Sequence, residues 1–159
     1  MTDAHPDALI VRPARETDLP AIVALMSDDA LGAAREAPAE DPRYLAAFHA
    51  IEEQRGNTLY VAVTGDRASG PVVGCFQMIF MPGISWAGAT RAEIENVRVA
   101  RGLRGSGLGA QMIARAVQIA RDGGAAILQL TSNNARDDAH RFWTANGFEQ
   151  SHRGFKMML

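Results

Sequence analysis

Val97-Arg98-Val99-Ala100-Arg101-Gly102-Leu103-Arg104-Gly105-Ser106-Gly107-Leu108-Gly109 is the stretch on which the reading of the 159-residue chain turns. A short apolar strand runs into an arginine- and glycine-rich loop, and an amphipathic helix begins at once. Leu108, Met112, Ala116 and Ala120 recur every fourth residue with Ile113 and Val117 beside them, while Gln111, Arg115, Gln118 and Asp122 take the other face. That spacing predicts a helix laying one stripe on a sheet. Closely spaced glycines at such a junction let backbone N–H groups approach a ligand without Cβ interference, and the helix N-terminus adds partial positive charge. Arg101 and Arg104 supply guanidinium groups, which suit phosphate geometry. The loop therefore reads as an anion cradle. It is not a P-loop, because no Gly-Lys-Ser/Thr opens the helix. Nor is it a dinucleotide fingerprint, because the glycines run G-x-G-x-G and no acid follows about twenty residues on.

Outward from that loop, the chain has the length and ordinary apolar content of one soluble domain spanning residues 1–159. The lone cysteine, Cys75 in an apolar run, excludes an internal disulfide, fits a reducing compartment and reads as a small buried hydrophobe. Met1–Pro6 carries acid and no apolar core, so no secretory signal is read there. No apolar run approaches membrane-spanning length, and the expected location is the cytoplasm. Charge is uneven: residues 1–90 hold six arginines against twelve acids, and residues 91–159 hold ten basic residues against six acids. A basic half around the loop suits a polyphosphate ligand, and an acidic half suits a cationic one. Neither has the basic density or aromatic content of a nucleic-acid surface, so neither nucleic acid nor membrane is an expected partner.

Strands are expected over Leu9–Arg15, Leu59–Thr64, Pro71–Met81, Arg91–Val99 and Ile127–Thr131, with a Gly65–Gly70 hairpin turn. Helices are expected from Thr17 or Asp18 to about Ser27, over Arg43–Arg55 with Leu45, Phe48 and Ile51 on one side, and from Ala135 to Asn146. The last of these has capping chemistry at Asn134 and Asp137 and a stop at Gly147. Asp28–Asp41 reads as mostly loop, and Phe148–Gln150 with Gly154–Leu159 as a closing strand pair. The order β-α-α-β-β-β-α-β-α-β-β implies a mixed α/β sheet flanked by helices, antiparallel in front and parallel across the central helix.

Two motifs carry a family resemblance. Arg104, Gly107 and Gly109 match the pattern Q/R-x-x-G-x-G/A, and Phe142-Trp143-Thr144-Ala145-Asn146-Gly147-Phe148 is similar to a helix ending in Phe-Tyr-x-x-x-Gly-Phe. Together, and with the element order, they resemble the GCN5-related N-acetyltransferases over nearly the whole chain. Arg136–Phe142 and Glu149–His152 look like the bacterial aminoalkylphosphonate N-acetyltransferase branch. The resemblance implies acetyl-coenzyme A as donor, a small amine as acceptor and direct acetyl transfer between them. It implies a coenzyme site made by Val97, Arg98, Val99, Arg104, Gly105, Ser106, Gly107, Leu108, Gly109, Asn133, Arg136, His140 and Trp143. Two positions depart from the family: Trp143 replaces a tyrosine that can protonate the thiolate, and Arg136 replaces an asparagine facing the pantetheine arm.

An alkyl amine is protonated at neutral pH, so the chemistry needs a base. Glu93 and Glu95 stand two residues apart and share one face of a regular strand. Glu93 lies at the distance before Val99 where the histone-acetylating branch of the family carries its base. A bulge would upset that parity, so both glutamates remain candidates. His140 is a weaker proton carrier, Ser151-His152 could border the acceptor, and Trp86 and Tyr44 could shape its pocket. No histidine–carboxylate spacing amounts to a metal site. The sequence leaves two alternatives open: a protein or peptide N-acetyltransferase with an open groove, and a catalytically silent acyl-coenzyme A-binding module. Exposed strand edges are compatible with a homodimer.

Overall fold

Arg91–Val99 forms the strand that the sequence predicts, with Ala92 and Ile94 fully buried in the core. The computed structural model describes residues 9–65 and 68–159. His5 and the middle of the Gly65–Gly70 turn lie outside the described residues. In chain order the elements are β1 (Ile10–Pro13), a 3-10 turn (Glu16–Asp18), α1 (Leu19–Met26), α2 (Ala30–Ala33) and α3 (Pro42–Glu53). Then come β2 (Asn57–Val63), β3 (Val72–Met81), α4 (Ser85–Gly88) and β4 (Arg91–Val99). A second 3-10 turn (Arg101–Leu103), α5 (Leu108–Asp122), β5 (Ile127–Gln129) and α6 (Asp137–Ala145) complete the order. The five strands stand in sequence order in one sheet; β1 to β4 pair antiparallel, and β4–β5 pair parallel across α5. This is the expected mixed α/β architecture.

Each sheet face has its own core. On one face Met112, Ile113, Ala116 and Ala120 of α5 lie against Ala62, Phe76, Met78, Ala92 and Ile94. The helix approaches closely because β3 has a glycine beneath it: a Cβ at Gly74 would lie 2.5 Å from the Met112 sulfur. On the other face Ile22 and Leu25 of α1 and Phe48 of α3 cover Leu59, Val61, Val63 and Cys75. Leu45, expected beside Phe48, is exposed instead. The start of α1 is tied to β1 by a two-pronged ion pair, Arg12 donating to both Asp18 oxygens at 2.7 and 3.0 Å. Asp18 also accepts the Arg15 N–H, and these donors, Arg12 above all, hold its carboxyl below the usual carboxylate range.

Three further expectations need correction. Phe148–Gln150 and Gly154–Leu159 form no strands. The tail alternates apolar residues, but Phe155, Met157 and Leu159 are exposed, so no buried face sets a register. Asp28–Asp41 is mostly loop, as expected, and includes the single turn α2, capped by Asp29, whose side chain accepts the Gly32 N–H at 2.7 Å. The start of α6 has no side-chain cap at Arg136; Asn133 accepts the Ala135 N–H just before it. β5 stops at Gln129, before Thr131. The helix stop at Gly147 holds, with the left-handed φ of +88° that glycine adopts without strain.

Candidate active site

β4 is paired on its two edges to different lengths. It bonds to β3 as far as Val99 but to β5 only through Glu93. From Ile94 onward its other edge faces a cleft of about 1240 Å3, whose far wall includes Leu130, Thr131, Ser132 and Asn133. Strand edges carry unpaired N–H and C=O groups, so this wall can bond a ligand's own polar chain. Midway, Asn96 takes a left-handed φ of +54°, and the register against β3 slips by one residue between Cys75 and Gln77. This bulge changes which way the next side chains point.

The loop expected to bind an anion forms the lip of the same cleft. Gly105 and Gly107 have φ of +79° and +87°, and a Cβ on either would project into open space. Gly107 is the N-cap of α5 and no side chain caps the helix there, so the first-turn N–H groups are left for a ligand. Gly109 permits a different contact: a Cβ there would press on the Phe142 ring at 3.2 Å, so α6 packs against the start of α5. The donor set and the open glycines fit a diphosphate. Arg104 lines the cleft with its guanidinium bonded to Asp28 at 3.0 Å and to the Val99 carbonyl at 3.1 Å. Arg101 also bonds Asp28. Asp28, from the acidic half of the chain, is thus a partner the sequence did not disclose.

Of the two glutamates, Glu95 lines the cleft and Glu93 does not. Glu93 accepts the Gln129 side-chain N–H at 3.0 Å, and Arg91 in turn donates to Gln129. Burial first, then the neighbouring Glu93 carboxyl, push the Glu95 carboxyl above the ordinary glutamate range; Lys156 opposes them from the tail. Cys75, on the same face, is buried and its thiol is pushed up to about 12, so it is an inert core residue.

Val97, Arg98, Val99, Asn133, Arg136 and Trp143 also line the cleft. Trp143 meets Phe142 and Phe148 edge-on, at centroid distances of 5.1 and 5.4 Å. Ser106, Leu108 and His140 fall outside it. The Ser106 hydroxyl donates to the Leu103 carbonyl, Leu108 is buried in the core, and the His140 ring sits 2.9 Å from the Asn133 carbonyl. Tyr44 donates to Glu36, Trp86 is largely exposed, and Ser151 and His152 bond each other on the exposed tail. Asp29, Arg35 and Lys156 reach the cleft from segments whose sequence carried no motif.

β4 and β5 thus part beside a glycine lip at the start of α5. The family model described as the Acetyltransferase (GNAT) family matches residues 20–148. The chain belongs to this family. GNAT membership supports an acyltransferase with acetyl-coenzyme A as donor. Among curated proteins, the GNAT chain is similar to the aminoalkylphosphonate N-acetyltransferase of Salmonella typhimurium, 39% identical over 75 residues. That match covers 47% of this chain and 46% of the relative, so the chain spans about half the length of the curated relative it matches. Among solved structures, one from Bacillus halodurans C-125 described as a transcriptional regulator is 37% identical with a TM-score of 0.86, covering 96% of this chain and 100% of that one. A putative acetyltransferase from Agrobacterium tumefaciens shares the fold at 24% identity, with a TM-score of 0.80 and coverage of 94% and 99%.

Proposed function

We propose that this GNAT chain is an acetyl-coenzyme A-dependent N-acetyltransferase that acetylates the primary amine of a small molecule by direct attack. One observation carries the reading. A glutamate with raised proton affinity, Glu95, faces the same cleft as the unpaired edge of β4 and the uncapped glycine lip of α5. The name of the Salmonella relative supports a small amine as acceptor.

The roles follow from the chemistry. An alkylammonium must lose a proton before its nitrogen can attack. Glu95 accepts that proton, directly or through water, and Glu93, fixed by Gln129, sustains its basicity. The N–C bond forms, the C–S bond breaks, and the electron pair leaves on sulfur. An N–H on the open edge of β4 stabilises negative charge on the carbonyl oxygen. A thiol of cysteine-like pKa, about 8.5, leaves with little assistance. Trp143 can therefore stand where an acid is usual, since its indole donates a hydrogen bond but no proton. The glycine lip holds the diphosphate, and Arg104 joins it by exchanging the Asp28 carboxylate for phosphate. That ion pair is exposed, so breaking it costs only ~0–1 kcal/mol.

Release of free thiol from acetyl-coenzyme A, measured against a panel of small amines and peptides, tests this reading. Turnover with small amines is the expected result. Turnover with peptides alone would make the chain a protein acetyltransferase. Calorimetric binding of the donor with no turnover would make it an acyl-coenzyme A-binding module.

A further inference from the structure

The cleft beside β4 is lined by five arginines and a single lysine, Lys156. It is the chain's only lysine. The difference matters chemically. A guanidinium stays protonated and delocalised, so an arginine offers no nucleophilic nitrogen. A lysine ammonium offers one as soon as a base takes its proton. The Cys75 thiol is no rival, being buried in the core with its pKa pushed up to about 12. Lys156 is therefore an amine that the cleft itself supplies.

The C-terminal tail brings it there. Residues 148–159 form no strand. A Cβ on Gly154 would lie 4.0 Å from the Thr131 methyl group, so the tail passes beside the far wall of the cleft. Two residues on, Lys156 lines the cleft, and its charge acts on the Glu95 carboxyl. None of the ion pairs among the described residues includes it. Its neighbours Phe155, Met157 and Leu159 are exposed, so no apolar anchor fixes the tail. An amine on a flexible four-carbon stem, carried by such a segment, can swing toward a donor held on the edge of β4.

We propose that Lys156 is a self-acetylation site, its Nζ taking the acetyl group from acetyl-coenzyme A bound in the same molecule's cleft. This inference rests on the acetyl-transfer reading of that cleft. The ammonium gives one proton to Glu95, directly or through water, and the freed electron pair forms the N–C bond to the acetyl carbonyl carbon. The C–S bond breaks and its pair leaves on sulfur. The nitrogen's second proton passes through solvent to that sulfur, which leaves as free thiol, and an uncharged acetyl-lysine remains. Tethering favours the step, because an amine on the same chain meets the donor at a high effective concentration. Once acetylated, Lys156 no longer sets a positive charge against Glu95.

The test incubates the protein with saturating acetyl-coenzyme A and no added amine, then reads intact mass and maps the modified peptide. One acetyl group, on the peptide that contains Lys156, is the expected result. The same chain unfolded in guanidinium chloride reports the reactivity of an ordinary lysine, and the folded protein should exceed it about tenfold or more. Glu95→Gln should return the rate to about that background, and Lys156→Arg should gain no acetyl group. Diluting the protein should leave the rate constant unchanged, as transfer within one molecule requires. Acetylation no faster than in the unfolded chain, or on another residue, would overturn the proposal; thiol release with added small amines would show that the acetyl-transfer reading survives. A rate that rises with protein concentration would overturn it by placing the lysine in the cleft of a second copy. An undiminished rate in Glu95→Gln would overturn it by removing the base. No acetyl on Lys156 and no thiol release with any amine would end both readings together.

Discussion

Protonated, the Glu95 carboxyl is cheap to bury beside Glu93; ionised, it must give up water and face a second carboxylate. The same property that suits it to the proposed role of base therefore weakens the fold. Its pKa is raised in the folded state, so ionisation costs stability as pH rises from the unfolded glutamate value, about 4.3, through the folded one. Glu95→Gln should consequently melt higher than the parent at neutral pH, and the difference should vanish on acidification to about pH 4. Turnover should move the other way, falling by about a hundredfold or more while donor binding persists. The activity loss should shrink as pH approaches the amine's own pKa, where catalysis of deprotonation matters less. Thermal melts and steady-state rates across pH check both halves. A variant that melts lower at neutral pH would mean that Glu95 is held as a structural carboxylate. The sequence put Glu93 first, by its distance before Val99, and kept Glu95 as the alternative, whereas it is Glu95 that lines the cleft. The contact that separates them comes from Gln129, more than thirty residues away.

At the scale of elements, β4 and α5 were the legible parts. Arg91–Val99 has the predicted bounds, and the apolar stripe of α5 is buried as its period required, because both patterns are local and repeat. The bulge at Asn96 was not legible, since a single left-handed residue leaves no periodic trace; yet it decides which side chains share the cleft. The closing strands failed for the converse reason: an alternating pattern was present, but its apolar residues are exposed and no buried face fixes a register. The lip of α5 yields a prediction at this scale. Gly107→Ala places a methyl group in the space left for phosphate and also imposes left-handed strain of about 1 kcal/mol. Gly124→Ala, just past the other end of α5, imposes comparable strain at φ +77° in open space away from the cleft. Both should melt slightly lower than the parent. Only Gly107→Ala should weaken acetyl-coenzyme A binding by calorimetry, and equal affinities would remove the lip from the donor site.

For the molecule as a whole, the charge asymmetry of the sequence is resolved at one seam. Asp28 and Asp29, from the acidic half, meet Arg101, Arg104 and Arg136 from the basic half where α1–α2 approaches the glycine lip. Composition announced the two halves, but only the fold shows that they touch at the mouth of the cleft. The sheet behind that mouth is unfinished: β5 supports three residues of β4, and the edge from Ile94 to Val99 has no strand beside it. A donor seated on this edge, as proposed, would serve as the absent neighbour, and its chemical potential would become part of the protein's folding equilibrium. Unfolding then releases a ligand, and stability rises with the logarithm of donor concentration, by about 2.7 kcal/mol at a hundredfold excess over Kd. The melting temperature should climb steadily through an acetyl-coenzyme A titration, and amide exchange across residues 94–99 should slow in parallel. In a cell, the lifetime of this protein would track the acetyl-donor pool that it consumes.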